Sequence, residues 1–449
     1  MTEEPGTGRG AAHDRSDYIG AAAAGLSYNA VNVVSQLAVV PIYLHAIGSY
    51  AFGVLAILMQ VTMYAPIAVK WMSGSSERLL GEAFVRGDWQ GFGEVLRVTR
   101  LIYVGHAVVV AAGMVLFAYV GVAGGMVPLA RLADRHDIAL ALTFTGAYYV
   151  LLYDLHVIRI ALNMCKRQAV GNGLQILMVA LFTCLVIPWL HLEPHLWVIM
   201  ASWTAAVGIT RIAADICVRR SGLVFQSGLP GRACRPVFAR LLGPMGWGYM
   251  LYGLLLLTLQ SDTLIVGWLG GALAAAAFVM VWKVADNVVQ ILWRLADYLA
   301  PYLMHMDAAD STDRMRHLVA RARRWLIPFA IVSGAAYAAF GRTIVRLWLG
   351  NRAPVNPVGY WLAGAAVFWL VAARLPAVVA FSTVRLRPLN LVAGAEVGGK
   401  LLLTVLLFKS IGYLAPLAAL SIVHICGVAF AYQRLTAQTA QQSGGMAPA

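Results

Sequence analysis

Apolar stretches of about 20 residues recur along almost the whole chain, and that is the length an α-helix needs to cross a hydrocarbon core of about 30 Å. Twelve can be marked, near residues 18–44, 51–72, 102–122, 138–160, 170–190, 195–216, 241–268, 272–298, 325–347, 358–383, 389–408 and 413–433. In lipid each spanning segment has to satisfy its own backbone N–H and C=O groups, so the expected product is an all-α polytopic membrane protein. Composition agrees: of 449 residues 60% are hydrophobic and 12% charged, about half the charged share of a soluble domain.

The net charge of +14 would suggest nucleic acid in a soluble protein. Here the bias of Lys and Arg to cytoplasmic loops accounts for it, and no nucleic-acid partner is expected. Arg78, Arg86, Arg97 and Arg100, then Arg159 and Arg167, Arg219 to Arg240, Arg314 to Arg324, and Arg385 with Arg387 fall on alternate connections. That pattern places both termini in the cytoplasm. The first seventeen residues lack the pattern of a signal peptide. Five scattered cysteines carry no metal or disulfide spacing.

The connection at 217–240 is rich in Gly, Pro and Arg and divides the spans six and six. The expected organisation is a disordered tail (1–17), a six-helix lobe (18–216), a linker (217–240), a second six-helix lobe (241–433) and a disordered tail (434–449). An internal echo supports it: Ile47-Gly48 after span 1 falls on Leu269-Gly270 after span 7, with Gly at a tight turn in each half. Parallel repeats of this kind recur in transporters that rock two bundles about a central site.

The chemistry lies in "VWKVADNVVQILWRLADYLAP", residues 281–301. At about 100° per residue, Lys283, Asn287, Gln290, Arg294 and Pro301 lie near one line, flanked by Asp286 and Asp297. An ionisable side chain at the bilayer centre costs about 2.5–3.5 kcal/mol on insertion scales, so the stripe has to face protein or water. It is either internally paired, Lys283 with Asp286 or Asn287 and Arg294 with Asp297, or it binds a ligand. Lys70, Arg374 and Lys400 add further intramembrane cations. Glu396 is placed to pair with Lys400 at i, i+4, and Asp154 lies near Arg159. Arg374 has no acid within its own span, which points to an anionic ligand unless the side chain snorkels to the surface. A phosphate about 4 Å from a cation gains about 4 kcal/mol at an effective dielectric near 20, comparable with the insertion cost. Span 1 offers Ser27, Asn29, Asn32, Ser35 and Gln36, suited to hydrogen-bonding sugars or to joining helices. Asp262 is a cation or proton site, or the partner of a basic residue. "HLEPH" (191–195) reads as a loop rather than a metal site. With no Walker loop, nucleophile elbow or HExxH, neither an enzyme nor a cofactor is expected.

Several stretches together resemble the O-antigen translocase-type polysaccharide flippases of the multidrug/oligosaccharidyl-lipid/polysaccharide exporter superfamily. They are Leu44 to Gly53, "SGSSERLLGEAFVRGDW" (73–89), "SDTLIVGWLG" around Asp262, Pro301, "GRTIVRLWLG" (341–350) and "LNLVAGAEVGGKLLLTVLLFKSIGYLAP" (389–416). The family's loop pattern falls on Arg78, Gly81, Gly87 and Asp88, its span-7 acid on Asp262, and its span-11 polar residues on Asn390, Glu396 and Lys400. The resemblance implies a V-shaped, twelve-helix, two-lobed monomer in a bacterial inner membrane. Its cargo would be a polyprenyl-diphosphate-linked oligosaccharide, and its partners a polysaccharide polymerase and chain-length machinery. The residues expected to hold the cargo are Lys283, Arg294, Arg374, Lys400, Lys70, Asn29, Asn32, Asn287 and Gln290, with Asp262, Asp286 and Glu396 as pairing or coupling groups. Three alternatives remain: a cation-coupled multidrug exporter, expected to have an acidic cavity; a peptidoglycan-precursor flippase, expected to have two more spans; and a membrane polymerase or ligase, expected to have a large outer loop.

Overall fold

In the computed structural model, the described residues are 7–64, 76–84 except Arg78, 86–124, 132–220 except Lys166, 234–241, 244–297, 299, 300, 303, 306 and 312–442 except Val384. Lys70, Arg78, Pro301 and most of the expected linker (221–233) lie outside them. Fourteen α-helices are labelled in chain order. The first seven are α1 (Thr7–Ala46), α2 (Gly48–Tyr64), α3 (Trp89–Leu116), α4 (Leu132–Met164), α5 (Gln168–Leu192), α6 (Leu196–Arg220) and α7 (Cys234–Leu241). They are followed by α8 (Pro244–Leu259), α9 (Asp262–Asp297), α10 (Thr312–Leu349), α11 (Pro357–Ser382), α12 (Leu386–Ile411), α13 (Ala415–Val423) and α14 (Ala429–Gln442).

Among the described residues, eight helical segments are long and apolar enough to cross a membrane. One of them, Leu386–Leu435, holds two of the expected spans. The remaining expected spans fall on α1, α2 and α8 with the start of α9. Helix α1 begins at Thr7 and α14 runs to Gln442, so helix covers much of both segments expected to be disordered. Extending an existing helix is far easier than nucleating one.

The chain forms two compact units, 1–48 with 65–246, and 49–64 with 247–449. Helix α2 therefore packs in the second unit, although it precedes most of the first in sequence. Gly53 explains how it fits: a Cβ there would lie 1.9 Å from the carbonyl oxygen of Ala272. Only a glycine lets these backbones approach so closely.

In the first unit α4 packs against α3 and α6, and α1 against α5. Phe92, Leu96, Tyr103, Tyr149, Tyr153 and Ile160 form one core cluster, and Phe182 stacks on Trp203 at 3.8 Å. Asp137 accepts the Leu196 and Trp197 amides at 3.0 and 2.8 Å, satisfying orphan donors at the start of α6. The loop sequence containing Gly87 and Asp88 has a local role too. Gly87 takes φ +68°, and Asp88 caps α3 by accepting the Gly91 amide at 2.8 Å.

In the second unit α11 is the central helix, packed against α9, α10, α13 and α14. Helices α10 and α11 meet at Gly334 and Gly364, where a Cβ on either would lie 2.6 or 2.4 Å from the other's carbonyl oxygen. The Tyr337 hydroxyl, buried in this seam, donates to the Val281 carbonyl at 2.5 Å.

Candidate functional site

Helix α9 organises the polar residues of the second unit. Its backbone departs from helix at Gly271, φ +78°, matching Gly48 at φ +77°. A glycine of positive φ therefore stands in each half, at Gly48 and, one residue beyond the expected Gly270, at Gly271. After Gly271 the helix runs unbroken to Asp297, which puts Lys283, Asn287, Gln290 and Arg294 along one side.

These residues differ in what they touch. Lys283 and Asp286 are both half-buried, and among the described residues no ion pair joins them. Asp286 also accepts a hydrogen bond from Gln290 Nε2 at 2.8 Å. Asn287 is 4% exposed, and its Nδ2 has no hydrogen-bond partner among the described residues. Arg294 is exposed. Among the described residues no ion pair reaches it.

Arg374 is not the unpaired cation that its own span suggests. Its guanidinium meets Asp297 Oδ1 through Nη2 at 2.7 Å and Nε at 2.8 Å. It also lies 4.7 Å from the centroid of the Trp293 ring, whose Nε1 donates to the Leu370 carbonyl. Asp297 is thus taken by Arg374 rather than by Arg294. The acid arrives from another helix, where no single-span pattern can reveal it.

Lys400 corrects a second expected pairing. It does not pair with Glu396 one turn away. At 2% exposure it pairs with Asp262 Oδ1 at 2.6 Å and donates to the Leu259 carbonyl. The expected seventh span, 241–268, is broken here: α8 ends at Leu259 and α9 starts at Asp262. A helix break inside a membrane frees carbonyls that must find donors. Lys400 meets that need, and Asp262 neutralises it.

Glu396 belongs to a different cluster. Its carboxylate accepts from the Tyr432 hydroxyl at 2.7 Å and lies 3.0 Å from His424 Nε2, with His424 stacked on Trp369 at 5.5 Å. All three polar groups are 5% exposed or less. His424 opens a π-helical turn, His424–Val428, in which Gly427 takes φ +140°; such turns occur frequently at functional sites. The sequence shows a carboxylate and a histidine in successive apolar spans but not their meeting. Asn390, also on α12, donates to the Gly248 carbonyl of α8 at 3.2 Å.

In the first unit Asn29 and Asn32 are half-buried on α1. The Ser35 hydroxyl, on the same helix, lies 2.6 Å from that of Thr183 on α5, a helix-joining contact. The main ionic cluster here went unseen in the sequence. Asp154 is held by Arg100 at 2.6 and 3.0 Å and by Arg211 at 2.5 Å, and Arg211 also pairs with Asp215 at 2.5 Å. Proximity in sequence to Arg159 was a poor guide, because Arg100 and Arg211 come from α3 and α6.

Neither a protein-family model nor a curated protein sequence matches the chain. Solved structures do. An outward-facing multidrug resistance MATE family transporter of the MOP superfamily aligns with TM-score 0.71 at 9% identity, covering 96% of this chain and 97% of that one. The MATE transporter VcmN of Vibrio cholerae aligns with TM-score 0.65 at 14% identity, covering 95% and 98%. An inward-facing MATE family transporter aligns at 0.60 and 13%, covering 94% and 99%. The chain has the MATE transporter fold. It is a multi-pass membrane protein, and at these identities the likeness speaks for the fold alone.

Proposed function

We propose that the chain is a flippase for a polyprenyl-diphosphate-linked oligosaccharide, working by alternating access. One observation carries the reading. In the second unit each described intramembrane carboxylate is engaged: Asp262 with Lys400, Asp297 with Arg374, Asp286 with Gln290, and Glu396 with His424 and Tyr432. On α9 the cations Lys283 and Arg294 enter no ion pair among the described residues, and Arg294 is the exposed one. A cationic cargo needs a free carboxylate, whereas a diphosphate needs a free cation beside neutral donors. Arg294 offers the charge, and Gln290 and the unpartnered amide of Asn287 offer donors on the same side of α9. Lys283 contributes through its half-buried ammonium, whereas Arg374 and Lys400 serve the cargo only if their own pairs open.

The second reading, a cation-coupled multidrug exporter, is favoured by the solved structures of this fold, which are of multidrug resistance MATE transporters. Lipid mass spectrometry on cells depleted of the protein separates the two. Build-up of a polyprenyl-diphosphate oligosaccharide with loss of surface polymer supports the flippase, and wild-type protein but not Lys283→Ala/Arg294→Ala then clears it. Sensitivity to cationic drugs without such a lipid overturns the proposal.

A further inference from the structure

We infer that the second unit carries a binding site for an anionic phospholipid, independent of the transported cargo. The site lies where α10 enters the membrane. Residues 313–325 form the first turns of α10 and hold Arg314, Arg316, Arg321, Arg323 and Arg324. The one described carboxylate among them, Asp313, is 89% exposed and sits 3.6 Å from Arg316, a surface pair that leaves the segment strongly positive. Trp325 follows, 65% exposed, in the position that indole rings take at a membrane–water boundary.

A positive entry segment alone would be no more than the usual charge bias of membrane loops. Here it opens onto a built cavity. A space of about 710 Å³ lies between α10, α11 and α14, within the range of small-molecule sites. Its lining combines the guanidinium-bearing Arg316, Arg323 and Arg324 with apolar Phe368, Val371 and Leu375.

The two chemistries fix the occupant. Forked guanidinium groups match the oxygens of a phosphate, and the apolar side chains match an acyl chain. Basic pockets between transmembrane helices recognise anionic headgroups in this way. Free phosphate would leave the apolar lining uncovered, and a zwitterionic lipid would bring a cation against three arginines. The ligand is therefore a phospholipid of net negative headgroup, drawn from the leaflet that residues 313–325 face.

Native mass spectrometry of the full-length protein in detergent tests this by titrating phosphatidylglycerol against phosphatidylcholine. The wild type should retain phosphatidylglycerol at least about tenfold more tightly. Arg323→Gln/Arg324→Gln should weaken it roughly thirtyfold, since two of the three arginines lining the cavity are lost, at about 1 kcal/mol each. Arg314→Gln/Arg321→Gln removes equal charge from the same segment but lines none of the 710 Å³ cavity, and should change retention less than about threefold. Ala372→Phe fills the cavity without touching a charge and should weaken binding on its own, which keeps the test valid if the arginine pair fails to fold. Three results overturn the inference: equal retention of the two lipids, equal weakening by both arginine pairs, and displacement of the lipid by inorganic phosphate at millimolar concentration with no effect of Ala372→Phe.

Discussion

The two units arrange their ion pairs in opposite ways. The first gathers Arg100, Asp154, Arg211 and Asp215 into one continuous relay, two cations and two carboxylates, joining α3, α4 and α6. The second scatters its groups: Asp262 with Lys400 at the helix break, Asp286 with Gln290, Asp297 with Arg374, and Glu396 among His424 and Tyr432. A relay can lose one member and still satisfy the others, which suits a rigid seam. Separate pairs stand or fall singly, which suits an element whose contacts change during a cycle.

The contrast can be broken by mutation. The largest effect is expected at Lys400. Lys400→Ala leaves Asp262 buried beside a free carbonyl, and removing one member of a buried pair costs about 3–5 kcal/mol. Thermal unfolding in detergent should show it. Lys400→Met with Asp262→Leu should recover the part of the loss due to the unpaired Asp262, because an apolar pair of similar volume is often neutral or better, and leave the part due to the unmet Leu259 carbonyl. In the relay, Arg211→Ala leaves Asp154 with Arg100 and lets half-exposed Asp215 turn to solvent. The expected loss is about 1.5–3 kcal/mol, the worth of hydrogen bonds to charged groups. If Arg211→Ala costs as much as Lys400→Ala, the relay has no redundancy and the comparison fails.

Arg374→Lys sharpens it further. The substitution keeps the charge beside Asp297 but loses the two-nitrogen contact and the planar face over Trp293. Arginine and lysine are not equivalent at such a site. A loss near 1 kcal/mol is expected, whereas Arg374→Ala, leaving Asp297 unpaired, should cost clearly more. Equal losses would mean that Asp297 gains nothing from the charge.

What was legible in the sequence follows the range of the interactions. The order of the apolar helices came from local hydropathy, while their number did not, because the breaks at 260–261 and 424–428 leave the hydropathy unchanged. The turn glycines were legible because only a few residues tolerate a positive φ, although Gly271 rather than Gly270 takes it in the second half. Pairing read from spacing was a partial guide within one helix: Asp286 lies three residues from Lys283, yet no described ion pair joins them and Asp286 accepts from Gln290. It failed wherever a partner came from elsewhere in the chain, as Arg374 with Asp297 and Lys400 with Asp262 show. Glu396 and Lys400 satisfy the i, i+4 rule and still do not pair, because burial rewards the partner that completes the hydrogen bonding of each group. The second-unit membership of α2 was invisible for the same reason: its evidence is Gly53 against the backbone of Ala272, a contact between distant parts of the chain.

The smallest effect on stability, and the sharpest on function, is expected at Arg294. Exposed and outside every described ion pair, it should tolerate Arg294→Gln within about 0.5 kcal/mol, as ordinary surface positions do. Its value would then lie in the cargo. A phosphate at about 4 Å gains at most about 4 kcal/mol at an effective dielectric near 20, and water reaching an exposed side chain reduces that, so export should fall by roughly tenfold rather than vanish. Arg100→Gln is the matched control from the first unit: it removes a half-exposed arginine from the relay, so it should lower thermal stability more and export per folded molecule less. Measuring surface polymer against protein abundance for both variants separates the two effects. If Arg294→Gln instead destabilises the protein and leaves export per molecule intact, Arg294 has a structural partner, and the excess cation in the second unit is part of its packing.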